Sequence, residues 1–372
     1  MSPHLLAVNF RDPAHPEAGG AELHLEHVLH AALGRGWRVT WLASSFPGAA
    51  PEADNRGMRI VRRGSWWNFN LLVPGILRRE FSGASVPDRI VEDINKAPCL
   101  LPWFTRTPVS VIVPHLFCTT VFREANPLVG CYVLALEALI PHAYRGCPFL
   151  AISESTRDDL VARGVPATAV SVVHCGIDHE RYRPDAASPK AARPTLVFVG
   201  RLRRYKGLYW VLRSLPAVLG RVPELKLEIV GDGPHAAALR ALVARLELAH
   251  SVEFLGHLPG PEKVARLRAA WAVVQPSPKE GWGLTVMEAS ACGTAVVASD
   301  APGLRDSVRD QETGLLVPYA DDRALADALA RVLTDEALRE RLARAGVAWA
   351  ARFRWEECGA RSVAALTGEG SA

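Results

Sequence analysis

Short, nearly uninterrupted apolar runs alternate with amphipathic stretches along most of the chain. Runs rich in Val, Ile and Leu predict strands that are buried on both faces of a parallel sheet. In chain order the predicted strands are 5–10, 39–44, 58–61, 89–94, 109–113, 149–153, 170–174, 196–200, 227–231, 252–255, 272–276, 295–299 and 315–318. Apolar residues at helical spacing predict helices that include 21–33, 132–144, 155–163, 235–248, 261–271, a helix starting at 284 and a long helical run over 322–351. This alternation is typical of the α/β class.

The alternation is interrupted by "RPDAASPKAARP", residues 183–194, which is rich in Pro and Ala and predicts a linker. A chain of 372 residues is also long for a single core. We therefore predict two Rossmann-like parallel-sheet domains, residues 1–183 and 184–352, that face each other across a cleft. Residues 353–372 predict a C-terminal helix that could pack on either domain, including back on the N-terminal one.

Composition narrows the class of protein. With 49% hydrophobic and 22% charged residues, the chain is expected to be globular. Its net charge of +4 suits anionic small molecules or a membrane surface and is too weak to indicate nucleic acid. Seven cysteines without a CxxC pair predict reduced core thiols. No apolar run reaches the length of a membrane span, and the N-terminus resembles a strand, so the cytoplasm is the expected location.

The stretch "PSPKEGWGLTVMEAS" places a glycine-bearing loop between a predicted strand and a predicted helix. Amides at a helix start carry partial positive charge and bind anions. Gly281 and Gly283 would let the backbone approach a ligand closely. Glu280 and Glu288 could accept hydrogen bonds from hydroxyl groups on either side of that anion. This layout fits a nucleotide-sugar, in which phosphates lie between two sugars.

A second motif, "VGRLRRYKGL", follows the first predicted strand of the second domain. It places Arg201 and Lys206 between Gly200 and Gly207. Two fixed cations at this position could neutralise a diphosphate without a metal ion. We therefore expect no metal site and no cofactor, the nucleotide-sugar being a co-substrate.

Together these motifs resemble the family-4 retaining glycosyltransferases, which have the two-domain GT-B fold. The resemblance covers nearly the whole chain and includes the Glu-x7-Glu spacing, the G-R-L-x3-K-G signature and a glycine-rich loop in "PEAGGAE". It implies that Glu280 contacts the transferred sugar and that Glu288 contacts the ribose, while Arg201 and Lys206 bind the diphosphate. The donor-binding positions that it implies are Gly19, Gly20, Gly200, Gly281, Trp282, Gly283, Leu284 and Glu288. Two residues depart from the family pattern, Cys175 where Asn is common and Trp282 where Phe is common.

The resemblance makes residues 1–183 the acceptor-side domain and residues 184–352 the donor domain. It also suggests a histidine near the reacting centre, and His115 follows a predicted strand in "VSVIVPHLF". Asp93 and Asn95, which end another strand, are acceptor-side candidates. The segment 62–80 mixes Trp and Leu with four arginines, so it could meet a membrane that carries a lipid-linked acceptor, or its aromatic side chains could line an acceptor pocket. Alternatively it is a helix that packs on its own domain and leaves its arginines exposed.

The expected function is transfer of a sugar from a nucleoside-diphosphate sugar to an acceptor hydroxyl, with retention and without metal. The acceptor could be a glycan, a lipid-linked glycan or a small molecule, with peripheral contact at the inner membrane face left open and no nucleic acid partner. A nucleotide-sugar 2-epimerase and a non-catalytic nucleotide-sugar-binding subunit remain alternatives. A dehydrogenase is disfavoured because no G-x-G-x-x-G follows either first strand.

The candidate residues also have plainer interpretations. Glu280 could merely cap a helix, and Arg201 and Lys206 could be solvated surface charges. The glycine pair could form an ordinary turn, and His115 could be a satisfied, partly buried histidine.

Overall fold

A computed structural model of the chain describes residues 2–123 and 126–368. It divides into two compact units, the first formed by Met1–Gly176 together with the stretch from Trp355 onwards, and the second by Ile177–Arg354. The division falls ahead of the predicted linker. Ile177 already belongs to the second unit because its amide donates to the Phe353 carbonyl (3.1 Å).

The first unit contains an eight-stranded sheet of order β3-β4-β2-β1-β5-β6-β7-β8. Its strands are parallel except for the β3–β4 pair. The strands are β1 (His4–Val8), β2 (Arg38–Ser45), β3 (Glu52–Asn55), β4 (Met58–Ser65), β5 (Arg89–Asp93), β6 (Val109–Val113), β7 (Phe149–Ala151) and β8 (Val170–Val172). The first five α-helices of the chain belong to this unit: α1 (Gly20–Gly34), α2 (Phe69–Glu80), α3 (Pro127–Ala138), α4 (Ile140–Ala143) and α5 (Glu154–Ala162).

The second unit contains a six-stranded parallel sheet of order β11-β10-β9-β12-β13-β14. Its strands are β9 (Thr195–Val199), β10 (Lys226–Val230), β11 (Val252–Gly256), β12 (Ala272–Gln275), β13 (Ala295–Ser299) and β14 (Leu315–Val317). Its helices are α6 (Leu208–Leu219), α7 (Ala236–Arg245), α8 (Gly260–Ala269), α9 (Leu284–Ala291), α10 (Leu304–Ser307), α11 (Asp322–Thr334) and α12 (Glu336–Ala350). Every residue of β9, β12 and β13 is buried, as the apolar runs predicted.

Helix α13 (Trp355–Thr367) returns to the first unit and packs against α1. The Trp355 ring stacks on His27 with ring centroids 4.0 Å apart. Gly359 permits close approach, since a Cβ there would lie 2.7 Å from the Ala31 Cβ. The helix also accepts a hydrogen bond at the Leu366 carbonyl from Ser110 Oγ (2.6 Å) on β6. The last helix therefore completes the core of the first unit.

The order of the strands determines where the ligand-binding crevice of each sheet lies. In the second unit the chain runs from β9 to β10 and β11 on one side, then crosses to β12 on the other side. The crossovers thus diverge between β9 and β12, which is the switch point where ligands of open α/β sheets bind. In the first sheet the same divergence falls between the neighbouring strands β1 and β5.

Three local features differ from the sequence-based expectations. The polar strand β3 (EADN) was not predicted; it pairs with β4 through a turn in which Arg56 and Gly57 both have positive φ, as tight hairpins require. The run over 322–351 is two helices because Asp335 caps the second by accepting the Leu338 amide (2.9 Å). Helix α3 begins at Pro127, earlier than predicted, because Asn126 caps it by accepting the Val129 amide (3.0 Å).

The predicted core thiols are confirmed at Cys175 and Cys292, which are buried, but the prediction is wrong for Cys131, which is exposed, and for Cys118, which is only partly buried. No disulfide forms within the described ranges. No helix there is long and apolar enough to cross a bilayer.

A buried carboxyl in the first unit ties β5 to the segment after it. Glu92 is 2% exposed and accepts hydrogen bonds from the Tyr144 hydroxyl (2.7 Å) and the Cys99 amide (2.6 Å). Burial raises the pKa of Glu92 to about 7, although these hydrogen bonds oppose the shift. Because the folded pKa exceeds the ordinary value of 4.5, the stabilising contribution is complete below pH 4.5 and is lost as the pH rises through 7.

We predict that Glu92→Gln removes this pH dependence. Relative to wild type, the variant should gain about 3 kcal/mol of unfolding free energy between pH 4.5 and pH 8, since the pKa difference corresponds to that amount. Chemical denaturation at several pH values measures the difference, and Glu357→Gln on the surface of α13 is the control. A difference between wild type and Glu92→Gln that stays constant with pH contradicts the prediction.

Candidate functional site

The loop after β9 brings Lys206 to the switch point of the second sheet. Gly207 adopts φ +72° and forms the start of α6. A Cβ on Gly207 would lie 2.2 Å from the Pro276 carbonyl oxygen at the end of β12. Only glycine therefore lets the β9 loop lie directly against the β12 loop, which carries Glu280.

Lys206 and Glu280, both predicted from the sequence, lie in direct contact. Lys206 Nζ is 2.7 Å from Glu280 Oε1, and Gln275 Nε2 donates to the same oxygen (2.8 Å). Their side chains are 15% and 14% exposed. Burial would raise the pKa of Glu280, but the Lys206 ammonium lowers it below its usual value. Burial opposes the charge of Lys206, yet Glu280 raises the pKa of this lysine, so both groups remain ionised.

The Glu280 loop is held by backbone contacts. The Glu280 amide donates to the Pro302 carbonyl (3.0 Å), and a Cβ on Gly303 would lie 2.2 Å from the Glu280 carbonyl oxygen. Gly283 adopts φ +78° and caps α9, which starts at Leu284. Gly281 is half-buried in the same loop. The helix amides of α9 therefore begin within the loop that carries Glu280, where they favour an anion.

Trp282 lies in this loop but its side chain is core. It is 2% exposed, and its ring packs edge-to-face on Phe353 with centroids 5.2 Å apart. Any ligand contact from this position would have to come from the backbone.

The second acid of the motif, Glu288, is paired with a lysine that the sequence reasoning missed. Glu288 lies on α9, is 9% exposed and accepts a hydrogen bond from Lys263 Nζ on α8 (2.9 Å). Lys263 also lies over the Tyr182 ring, 5.0 Å from its centroid. Burial and the charge of Glu288 raise the pKa of Tyr182. Each acid of the Glu-x7-Glu motif thus already has its own lysine.

Arg201 and Gly200 follow β9 at the same edge of the sheet. Arg201 is half-buried, and Lys206 lies close enough to feel its charge. Gly231, which follows β10, has φ +125°, and a Cβ there would lie 2.0 Å from the Gly200 carbonyl oxygen. The loops after β9 and β10 are therefore packed together, so Gly200 and Arg201 are held at the strand ends.

In the first unit, the glycine-rich loop is anchored to the neighbouring strand. Gly19 caps α1, which begins at Gly20, and the Gly19 amide donates to Glu22 Oε2 (2.7 Å). Glu22 Oε1 accepts a hydrogen bond from Asn95 Nδ2 (3.0 Å). Asp93 accepts one from Asn9 Nδ2 (2.8 Å). These contacts bridge β1 and β5 at the switch point of the first sheet.

This geometry bears on the acceptor-side candidates Asp93 and Asn95. They are 3% and 7% exposed and bond to side chains of their own unit. Burial, and next the charge of Glu22, raise the pKa of Asp93 well above its usual value. The contact of Asn95 with Glu22 helps to hold the glycine-rich loop, and the role of both residues toward an acceptor stays a prediction.

Arg62 was expected in an exposed basic segment, and this expectation is wrong. Its guanidinium is 5% exposed and donates to both carboxylate oxygens of Asp12 (2.7 and 2.9 Å). The reason is that Asp12, 1% exposed, needs a partner inside the loop that follows β1. Phe69 of the same segment is fully buried. Arg62 therefore anchors the segment that follows β1 to β4.

His115 lies just beyond β6, where the sequence predicted it. It is half-exposed, and its ring packs edge-to-face on Phe117 with centroids 5.3 Å apart. Over residues 2–123 and 126–368, no group of three or more His, Cys, Asp or Glu side chains could hold a metal ion.

Two parallel-sheet α/β units of this kind match the GT-B class, and the likeness to solved structures supports that class. The sucrose-phosphate synthase from Thermosynechococcus elongatus superimposes with a TM-score of 0.82 over 97% of each chain at 23% identity. Anabaena HepE, solved in complex with UDP and glucose, gives 0.77 over 98% of this chain and 100% of its own at 19% identity. These likenesses establish the fold.

Sequence comparison gives the family. The Glycosyltransferase Family 4 model matches residues 18–181 and the Glycosyl transferases group 1 model matches residues 180–349. A GDP-mannose-dependent alpha-(1-6)-phosphatidylinositol monomannoside mannosyltransferase of Mycobacterium tuberculosis is 31% identical over 384 residues, 96% of this chain and 97% of that protein. The chain belongs to the group 1 glycosyltransferases.

A second relative is matched over a shorter region. The D-inositol 3-phosphate glycosyltransferase of Kribbella flavida is 36% identical over 228 residues, 57% of this chain and 54% of that protein. The chain thus spans about half the length of this relative and of similar ones.

We predict that Asp12→Ala destabilises the first unit by roughly 3–5 kcal/mol, because it leaves the Arg62 charge buried without a partner. Glu52→Ala, which removes an exposed partner of Arg59, should cost less than about 1 kcal/mol. The double variant Asp12→Ala/Arg62→Met should recover part of the loss. Denaturant titration measures all three, and equal costs for Asp12→Ala and Glu52→Ala would contradict this account.

Proposed function

We propose that the protein transfers a sugar from a nucleoside-diphosphate sugar to an acceptor hydroxyl, with retention of configuration and without a metal ion. The observation that carries the proposal is the Lys206–Glu280 pair at the switch point between β9 and β12. A purely structural ion pair needs neither the adjacent helix amides nor the close-packed glycine loops around it. Membership of the group 1 glycosyltransferases supports the same reaction class.

The proposed donor site works by exchange of partners. In the present arrangement Lys206 is neutralised by Glu280. An incoming diphosphate would pair with the Lys206 ammonium in place of Glu280. It would also contact Arg201 and the amides at the start of α9. Glu280 would then accept hydrogen bonds from hydroxyls of the transferred sugar. The two groups are preorganised because each holds the other ionised and in place before the donor binds.

Glu288 would accept hydrogen bonds from the ribose hydroxyls. Lys263 holds this carboxylate from α8 (2.9 Å) and balances its charge. Lys263 is therefore a positioning residue in this proposal, because it holds the Glu288 carboxylate in place.

Cleavage of the bond between the sugar and the diphosphate then depends on stabilising the charges that develop as it breaks. As the bond between the sugar and the diphosphate oxygen lengthens, positive charge develops on the sugar and negative charge on the departing diphosphate. Lys206 and Arg201 stabilise the latter. The acceptor hydroxyl attacks from the face that the diphosphate leaves, and its proton passes to a diphosphate oxygen, so that configuration is retained without a carboxylate nucleophile. His115 is proposed to contact the sugar or the acceptor hydroxyl.

For the acceptor, we propose a lipid-linked or glycolipid hydroxyl bound by the first unit, with peripheral contact to a membrane. The Mycobacterium tuberculosis relative is named for a phosphatidylinositol monomannoside acceptor. WaaG, a solved structure 17% identical to this chain, is a glycosyltransferase involved in lipopolysaccharide biosynthesis. UDP-sugars and GDP-mannose are the donors to test, since such nucleotides occur in the names of these relatives or in their complexes.

We predict that Lys206→Ala lowers kcat by roughly 10²–10³, because one preorganised cation is removed from the leaving group. Lys226→Ala is the matched control, since Lys226 is the first residue of β10 and lies at the amino-terminal ends of the strands, away from the loops that carry Lys206 and Glu280. Turnover is measured as nucleotide release with a saturating acceptor. Wild-type turnover in Lys206→Ala would refute the assigned role.

We predict that a matching nucleotide-sugar raises the melting temperature and is slowly hydrolysed even without an acceptor. Both effects should persist in EDTA, because protein cations neutralise the diphosphate. A panel of nucleotide-sugars assayed with and without EDTA measures this. Strict dependence on a divalent ion would overturn the metal-free part of the proposal.

A further inference from the structure

Helix α3 presents an exposed surface without a charged side chain. Its sequence is PLVGCYVLALEA, and its single acid, Glu137, is fully buried and accepts the amides of Phe117 (2.7 Å) and Cys118 (3.1 Å). Leu128 is 83% exposed and Tyr132, one turn later, is 39% exposed. Surface helices normally carry charges on the face turned to water. This helix is therefore suited to a less polar surrounding on its outer side.

A second apolar group lies beside it. Trp66 and Trp67 occupy the turn before α2 and are 65% and 67% exposed, and Leu71 in the first turn of α2 is 65% exposed. The adjacent Asn70 donates from Nδ2 to the Tyr132 hydroxyl (2.7 Å), which holds the first turn of α2 alongside α3. We call the combined surface the aromatic patch. It consists of Trp66, Trp67, Leu71, Leu128 and Tyr132.

The charges next to the aromatic patch are positive. Arg78 and Arg79 lie in the last turn of α2, both are exposed, and neither forms an ion pair with any residue that the structure describes. The acid beside them, Glu80, is occupied by Arg63 (2.7 Å). The exposed part of α2 therefore combines apolar side chains at one end with two available cations at the other.

We propose that the aromatic patch docks on an anionic phospholipid bilayer, with Trp66 and Trp67 at the headgroup level and Arg78 and Arg79 on lipid phosphates. Tryptophan favours the interface between hydrocarbon and water, and arginine near such a surface is attracted by anionic lipids. The occupant is a bilayer and not a second copy of the chain, because a self-complementary contact would bring four arginines together while the neighbouring acid, Glu80, is already paired. The inference rests on the proposed function only for its biological reason, because docking would bring the protein to a lipid-linked acceptor.

The test uses the full chain and vesicles. Co-sedimentation with phosphatidylcholine vesicles that contain about 30% phosphatidylglycerol should show binding that weakens in about 0.5 M salt, and pure phosphatidylcholine should bind much less. Arg78→Gln/Arg79→Gln should reduce binding to the anionic vesicles by roughly 30-fold, the factor expected for two interfacial charges. Trp66→Ser/Trp67→Ser/Leu128→Ser should reduce it at least about tenfold. Val86→Ser/Arg56→Gln, an exposed apolar and basic pair elsewhere in the first unit, should bind as wild type.

A second measurement reports the orientation. Lipids with brominated acyl chains should quench tryptophan fluorescence in the wild type. Trp66→Phe/Trp67→Phe should bind nearly as well but lose most of the quenching, because these are the two tryptophans that the patch contains. Vesicle binding that all patch variants retain overturns the proposal. So does a concentration-dependent dimer that the patch variants dissociate while vesicle binding is absent.

The experiments distinguish a failure of the docking proposal from a failure of the transferase proposal. Lys206→Ala should bind vesicles as wild type does, and the patch variants should keep the melting shift given by a nucleotide-sugar. If the donor panel gives no shift while vesicle binding depends on the patch, the transferase proposal fails and the docking surface stands.

Discussion

The candidate site depends on the point where the crossovers of each parallel sheet diverge. The crossovers leave β9 and β12 toward opposite sides of the sheet, so the loops that follow these two strands can meet. Gly207 makes the meeting possible, since any side chain on it would collide with the Pro276 carbonyl. Lys206 and Glu280 are then brought into contact from loops 74 residues apart. The ion pair is a consequence of topology and of one glycine.

Much of the fold could be predicted from the sequence because strands buried on both faces leave long Val, Ile and Leu runs. The strand β3 could not, since its EADN sequence has no apolar signal and its pairing depends on a turn with two positive φ values. The Glu280, Glu288 and Lys206 positions were predicted from motif spacing. Their partners were not, because a lysine such as Lys263 has no local signal that it faces a given acid.

The same limit explains Arg62. In the sequence Arg62 belongs to a run of arginines and aromatic residues. Only the folded unit shows that it is buried in an ion pair with Asp12, 50 residues away. Arg78 and Arg79 of the same segment stay at the surface. Similar residues thus separate into an internal anchor and an external cationic pair. The separation follows from which strand or helix face each residue occupies, and composition alone does not reveal it.

The return of α13 to the first unit makes that unit discontinuous along the chain, whereas the second unit is a single stretch, Ile177–Arg354. During synthesis at about 5–20 residues per second, the second unit takes roughly ten to forty seconds to emerge. Throughout that interval His27 and Ala31 on α1 lack the tryptophan and glycine that later cover them. The second unit can therefore complete its core before the first unit does. The core of the first unit stays partly exposed until α13 has been synthesised.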